Sequence, residues 1–200
     1  MTEKEKLDFY KELYFREFDD RNNLNDAISL PISIISALLA GVFYLVTSFD
    51  FSKDLSADNI FFLIPLTICV LLTYGSIYYL ILSYTSFRGK YDFIGLPYAE
   101  ELNKYNIKLT TQSMKKNNSS EEGEKAFEEY LLKKYVEYAD RNTRVNDKRR
   151  GLFLRSKRML IFGIIAISVS FIPFIKKHLE KDENIQKIDI VKYPDQLKLP

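Results

Sequence analysis

The sequence predicts an all-α membrane protein, with three transmembrane helices and a helical cytoplasmic segment between the second and third. Three observations predict it. Apolar residues are gathered into three charge-free blocks, charge is gathered between the blocks, and basic residues crowd the approach to the third. Averaging over 200 residues hides this pattern, and the mean hydropathy of −0.17 resembles that of a soluble chain. The net charge of +2 is too small to imply nucleic acid, and none is expected as a partner.

Residues 1–26 come first. Leu7, Tyr10, Tyr14 and Phe18 fall at helical spacing with charges between them, so residues 4–21 read as an amphipathic helix. Such a helix either lies on the inner membrane surface or packs against the central segment. Its acidic charge favours packing, because an anionic lipid surface attracts basic helices.

Residues 27–87 read as a two-span hairpin. Asp26 and Asp50 bound the first charge-free block, and the second runs from Asn59 to Phe87. Crossing the hydrocarbon core takes roughly 20 apolar residues, and both blocks suffice. Pro31 suits a first helical turn, where its missing N–H does no harm. The third block, 159–175, is shorter and is bounded by Arg158 and Lys176, whose long side chains snorkel to the interfaces. Pro65 and Pro173 each kink or bound their helices. Ser33, Ala37 and Gly41 in the first block, and Gly163, Ala166 and Ser170 in the third, mark helix-packing faces, since small residues let backbones approach closely in lipid. Packing within the chain is the expected use, and a homo-oligomer is the alternative.

Orientation follows from Lys and Arg near the span ends. The first connection holds only Lys53. Segment 88–158 holds Arg88, Lys90 and the run Lys148, Arg149, Arg150, Arg155, Lys157 and Arg158. That segment and the amino terminus are therefore expected in the cytoplasm, and the polar tail 176–200 outside.

Within 88–158, Gly95, Leu96 and Pro97 read as a turn, followed by a short helix over 98–105. Residues 110–125 are polar and repetitive and read as a flexible linker. From Lys125 a helical pattern resumes and runs, with a bend expected at Gly151, into the third span. Phe127, Leu131, Tyr135, Tyr138, Asn142, Val145, Arg149 and Leu152 alternate steps of three and four, a coiled-coil-like seam interrupted by an amide and a guanidinium. Asn146 adjoins the same face. Asn142, Asn146 and Arg149 are the candidate contact residues, for another segment, a cytoplasmic protein or a small anionic ligand; solvated positions on a helix facing water are the plainer reading.

Catalytic chemistry is not legible. One histidine, His178, and one cysteine, Cys69, make neither a zinc site nor a nucleophile–base pair. No glycine-rich phosphate loop is present. Glu121, Glu122, Glu124, Glu128 and Glu129 suit the start of a helix, where acidic residues oppose the dipole. No enzyme, cofactor or metal is expected. No ionisable residue interrupts the blocks, which speaks against a proton relay. Composition rich in Lys, Asn, Ile and Tyr, with no Trp, suggests a bacterial source.

Tyr138, Ala139, Asn142, Asn146 and Arg149 form a Y-A-x2-N-x3-N-x2-R pattern, and Ile172, Pro173 and Phe174 end the last block. This resembles a group of small bacterial multi-pass membrane proteins without an assigned function. The wider layout of a helix, a two-span hairpin and a long helix resembles SLATT-type membrane effectors of bacterial defence, to which the third span and tail are additions. That resemblance implies an inner-membrane effector or accessory of a defence system, oligomerising through its spans and perturbing the bilayer. The alternative is a membrane-anchored interaction protein that docks a cytoplasmic partner through its central helices, with no pore.

Overall fold

In a computed structural model of the chain, five helices account for nearly all of the described backbone: α1 Glu3–Asp26, α2 Ser29–Ser48, α3 Ala57–Tyr84, α4 Ala99–Lys115 and α5 Ser120–Lys192. The described residues are 1–49, 51, 57–84, 92–115 and 119–192, with side chains through Leu179. No strand forms among them. Lys53, Arg88 and Lys90, on which the predicted orientation partly rests, lie outside the described residues. So do 85–87 of the predicted hairpin, 116–118 of the predicted linker and 193–200 of the predicted tail.

The all-α expectation is met, and three helices are long and apolar enough to cross a membrane. The chain divides into two units. One comprises Met1–Ala27 with Leu82–Leu152, and the other Ile28–Ile81 with Phe153–Pro200.

The first unit is polar outside and aromatic within. α1 begins at a capping box: the Glu5 N–H donates to Thr2 Oγ1 at 3.2 Å, and the Thr2 N–H donates to Glu5 Oε2 at 2.7 Å. This pair satisfies two of the donors that a helix start leaves open. The helix buries the predicted stripe against α5 rather than presenting it to a membrane surface. Tyr14 joins Tyr135, Tyr138 and Ala139 in the core, flanked by Leu7, Tyr10, Leu13, Phe18 and Leu131. Tyr14 and Tyr135 meet edge to face at 5.5 Å, a favoured aromatic geometry.

Two expectations for the central segment are corrected. Gly95, Leu96 and Pro97 belong to an irregular stretch, 92–98, rather than to a turn. The predicted linker is helical through Lys115 and again from Ser120, so the short helix expected over 98–105 is much longer. Thr110 and Thr111 explain why polarity misleads here: their hydroxyls donate back to the Asn106 and Ile107 carbonyls at 3.0 and 2.7 Å, so neither competes with the helix. α4 also packs on the start of α5. Tyr105 and Tyr130 lie 4.5 Å apart. A Cβ on Gly123 would stand 2.6 Å from Thr110 Cα.

That close approach makes Gly123→Ala a test of the α4–α5 contact. Alanine gains up to about 1 kcal/mol of helix propensity, less in a first turn. Overpacking against rigid backbone costs about 1–3 kcal/mol and wins. A lower melting midpoint by circular dichroism is expected; an unchanged midpoint would mean that the two helices do not meet at Gly123.

The second unit has an apolar interior. Leu38, Leu45, Phe62, Leu66, Cys69, Leu160, Ile167 and Phe174 form its interior, and Phe49 stacks on Phe62 at 3.8 Å. Buried hydroxyls join the helices: Ser76 and Ser156 share a 2.7 Å hydrogen bond, and Ser170 reaches the Phe62 carbonyl at 3.4 Å. Gly163, Ala166 and Ser170 lie on this packing face. Gly41 does too, since a Cβ there would stand 3.2 Å from Ile167 Cδ1.

Ser33 and Ala37 do not. Both are exposed, because α2 turns Pro31, Ile35, Leu38 and Leu45 inward and leaves the fourth-position stripe on the outer side. Pro31 occupies the first turn of α2, and Pro65 and Pro173 stay inside α3 and α5. α5 is continuous through Gly151 and carries the predicted tail onward as helix to Lys192. At one end of this unit Lys176 pairs with Asp58 at 3.1 Å, and Lys177 reaches Asn59 Oδ1 at 2.8 Å.

Candidate functional site

The polar interruption of the α5 seam turns inward. Seam positions Tyr135, Tyr138, Asn142 and Val145 are buried, and Phe127, Leu131, Arg149 and Leu152 partly so. Asn142 and Asn146 have 0% and 1% exposure, which removes the solvated reading for both. A buried amide must find partners or cost stability, and each of these finds a different segment of the first unit.

Asn142 reads the backbone of Ile94. Its Oδ1 accepts from the Ile94 N–H at 2.9 Å, and its Nδ2 donates to the Ile94 carbonyl at 3.0 Å. Two residues on, the Leu96 N–H donates to the Tyr14 hydroxyl at 2.9 Å. Stretch 92–98 has no helix or sheet to satisfy its backbone, so side chains from α5 and α1 do so. Burial, the largest influence, pushes the Tyr14 phenol above its usual pKa, which keeps the hydroxyl protonated at neutral pH.

Asn146 holds a carboxylate. Glu17 is 4% exposed, and its oxygens accept from the Thr143 hydroxyl and from Asn146 Nδ2, each at 2.8 Å. The same Nδ2 also donates to the Glu17 carbonyl at 2.8 Å. Because Glu17 offers acceptors there, the amide nitrogen must face it. Asn146 Oδ1 is then left buried with no donor among the described residues. Such an orphan acceptor costs about 1–3 kcal/mol, which the charge-assisted bonds must outweigh.

Arg149 clasps the end of α3 and the last turn of α1. Nε donates to the Ser83 carbonyl at 2.7 Å, Nη2 to Asn25 Oδ1 at 2.6 Å, and the Ser83 hydroxyl donates back to the Arg149 carbonyl at 3.0 Å. Burial lowers the Arg149 pKa, and the nearby Arg21 charge lowers it further. Both effects disfavour the cation. Arg149 also lines a cavity of about 420 Å³ with Arg21, Asn25, Tyr84, Asp92, Phe93 and Val145.

Asn142, Asn146 and Arg149 therefore sit in one unit, each with its own set of hydrogen-bond partners there. The partners Tyr14, Glu17, Arg21, Asn25 and Thr143 are not legible as a set in the sequence. One signal points at part of it: the α1 stripe Tyr10, Tyr14, Phe18 continues at the same spacing onto Arg21 and Asn25. A polar continuation of an apolar stripe marks positions that face a partner rather than water.

The remaining candidates resolve simply. The five glutamates at the start of α5 are all exposed, and no group of metal-ligating side chains forms among the described residues. His178 stacks on Phe174 with centroids 6.1 Å apart. Compared with protein-family models, with curated proteins and with solved structures, the chain finds no match.

Proposed function

We propose that this is a multi-pass protein of the bacterial inner membrane, with the amino terminus and the polar unit in the cytoplasm. It acts there as an oligomerising, membrane-perturbing effector or accessory of a defence system. The observation that carries this reading is the outer surface of the apolar unit. Phe43, Phe61, Leu71, Phe162, Ile165 and Ile172 are each more than half exposed on helices long enough to span a bilayer. Leaving one such side chain in water forgoes roughly 1.5–3 kcal/mol, and a hydrocarbon surround removes that penalty. Arg155, Lys157 and Arg158, beside the third span, support the assigned orientation.

Two further features favour an effector over the docking alternative. Ser33 and Ala37, exposed within an apolar surface, remain free of intrachain packing and suit close approach by a second copy. Asn142 and Asn146 are spent on internal contacts and offer little to a docked protein. The defence role comes with the resemblance to SLATT-type effectors.

Induction together with the neighbouring genes, in cells loaded with a potential-sensitive dye, is expected to depolarise the membrane. Ala37→Cys should give disulfide-linked dimers in isolated membranes, and Ala37→Leu should weaken depolarisation at equal abundance. Full polarisation despite abundant membrane-inserted protein would sink the effector role, and recovery in the soluble fraction would sink the membrane assignment.

A further inference from the structure

The cavity beside Arg149 is a concentration of positive charge with no assigned use. Arg21 and Arg149 face it, and neither is in a salt bridge with a carboxylate among the described residues. After burial, the Arg21 charge is the next influence that disfavours the Arg149 cation, and a bound anion would relieve that repulsion. Their donors are also positioned. Arg149 is fixed by its bonds from Nε and Nη2, and its Nη1 is uncommitted among the described residues. The Arg21 guanidinium lies 5.0 Å from the Phe93 ring centroid, a cation–π contact that holds it at the cavity wall. Asn25 and Tyr84 add an amide and a phenol to the lining.

We propose that this cavity binds a small phosphate-bearing anion, with Arg21 and Arg149 as its two cationic walls. Guanidinium forks match carboxylate and phosphate alike. A single carboxylate, however, carries one charge and two oxygens, too few to meet two separate forks. A phosphate has three or more acceptor oxygens and up to two charges. Asp92, also in the lining, offsets one positive charge and disfavours long polyanions. A volume of about 420 Å³ lies within the range of small-molecule sites, roughly 300–1,000 Å³, and leaves room for an organic group beside the phosphate. A lipid headgroup and a soluble phosphate ester share this chemistry. The inference deepens the effector reading, on which it rests for the meaning of binding, by naming what the cytoplasmic unit receives.

The test uses the full chain in a phosphate-free maltoside detergent, with inorganic phosphate as the probe and acetate at matched ionic strength as the comparison. Phosphate is expected to bind in equilibrium dialysis and to raise the circular-dichroism melting midpoint, with acetate doing neither. Arg21→Gln should weaken phosphate binding about tenfold, the loss of one charge-assisted contact, and Arg21→Lys less. Arg21 is exposed and makes no hydrogen bond among the described residues, so without phosphate these variants are expected to melt close to the wild type, Arg21→Gln losing only the cation–π contact with Phe93. A second arm repeats dialysis in phosphatidylglycerol nanodiscs. Phosphate excluded there but bound in detergent identifies the headgroup as occupant, and phosphate bound in both identifies a soluble ester. Equal responses to phosphate and acetate, or an unaltered affinity in Arg21→Gln, overturn the proposal. Cells that depolarise with a protein that binds no phosphate overturn this inference alone. Binding without depolarisation overturns the effector role alone.

Discussion

Asn146→Ala is expected to destabilise the polar unit by about 3 kcal/mol. The substitution removes a charge-assisted hydrogen bond from a carboxylate that is 4% exposed, together with the partner of the Glu17 carbonyl. A bond to a charged group contributes about 1.5–3 kcal/mol, and stranding a buried charge adds to that. The released orphan at Oδ1 returns part of the loss. Thermal unfolding should be followed by circular dichroism at 222 nm, because the chain has no Trp to report by fluorescence. Glu17→Ala in the same background should cost less than the two single losses summed, by at least about 1 kcal/mol, since the residues act as a pair. Strict additivity would show that they do not. Asn146→Asp sharpens the case. It sets two carboxyls face to face, so the pair resists full ionisation, and stability should rise as pH falls and one of them takes up a proton. A pH-independent defect would contradict the geometry.

Asn142→Ala is expected to cost about 2–4 kcal/mol and to free stretch 92–98, from two lost hydrogen bonds that leave the Ile94 N–H and carbonyl without partners. Proteolysis should separate this from general unfolding. Cleavage within 92–98 should accelerate well before α1 and α5 lose helicity. Asn142→Asp retains the acceptor for the Ile94 N–H but turns a carboxylate oxygen toward the Ile94 carbonyl, so it should lie below wild type as well. Equal protease resistance in Asn142→Ala and wild type would show that Tyr14, through the Leu96 N–H, holds the stretch by itself.

Much of the helix inventory follows from one-dimensional pattern. Long charge-free runs need no tertiary information to be read as membrane-length helices, because the backbone satisfies itself within each helix and the side chains suit lipid on every side. The amphipathic stripe of α1 and the α5 seam are legible for a related reason: helical periodicity is a local property that chain order records directly. The seam also singles out Asn142 and Arg149, with Asn146 beside it, but periodicity leaves open whether they face a partner or water.

Tertiary contacts decided what local pattern cannot hold. Residues 110–115 and 120–125 look like linker by composition, yet they are helical because α4 packs onto α5 at Gly123, and that contact lies thirteen positions from its partner Thr110. Ser33 and Ala37 have the spacing of a packing face, but spacing fixes only that they share a side of α2, and neighbouring helices decide which side is buried. Glu17 is the clearest case. In sequence it is one more charge on a charged helix; in the fold it is a buried carboxylate held from more than a hundred residues away by Thr143 and Asn146. By itself the chain determined that there are three membrane-length helices and a polar helical seam. Which groups the seam faces, and that two arginines share one cavity, depended on distant segments meeting, because the energy of a buried polar group is set by its partners in space and not by its neighbours in sequence.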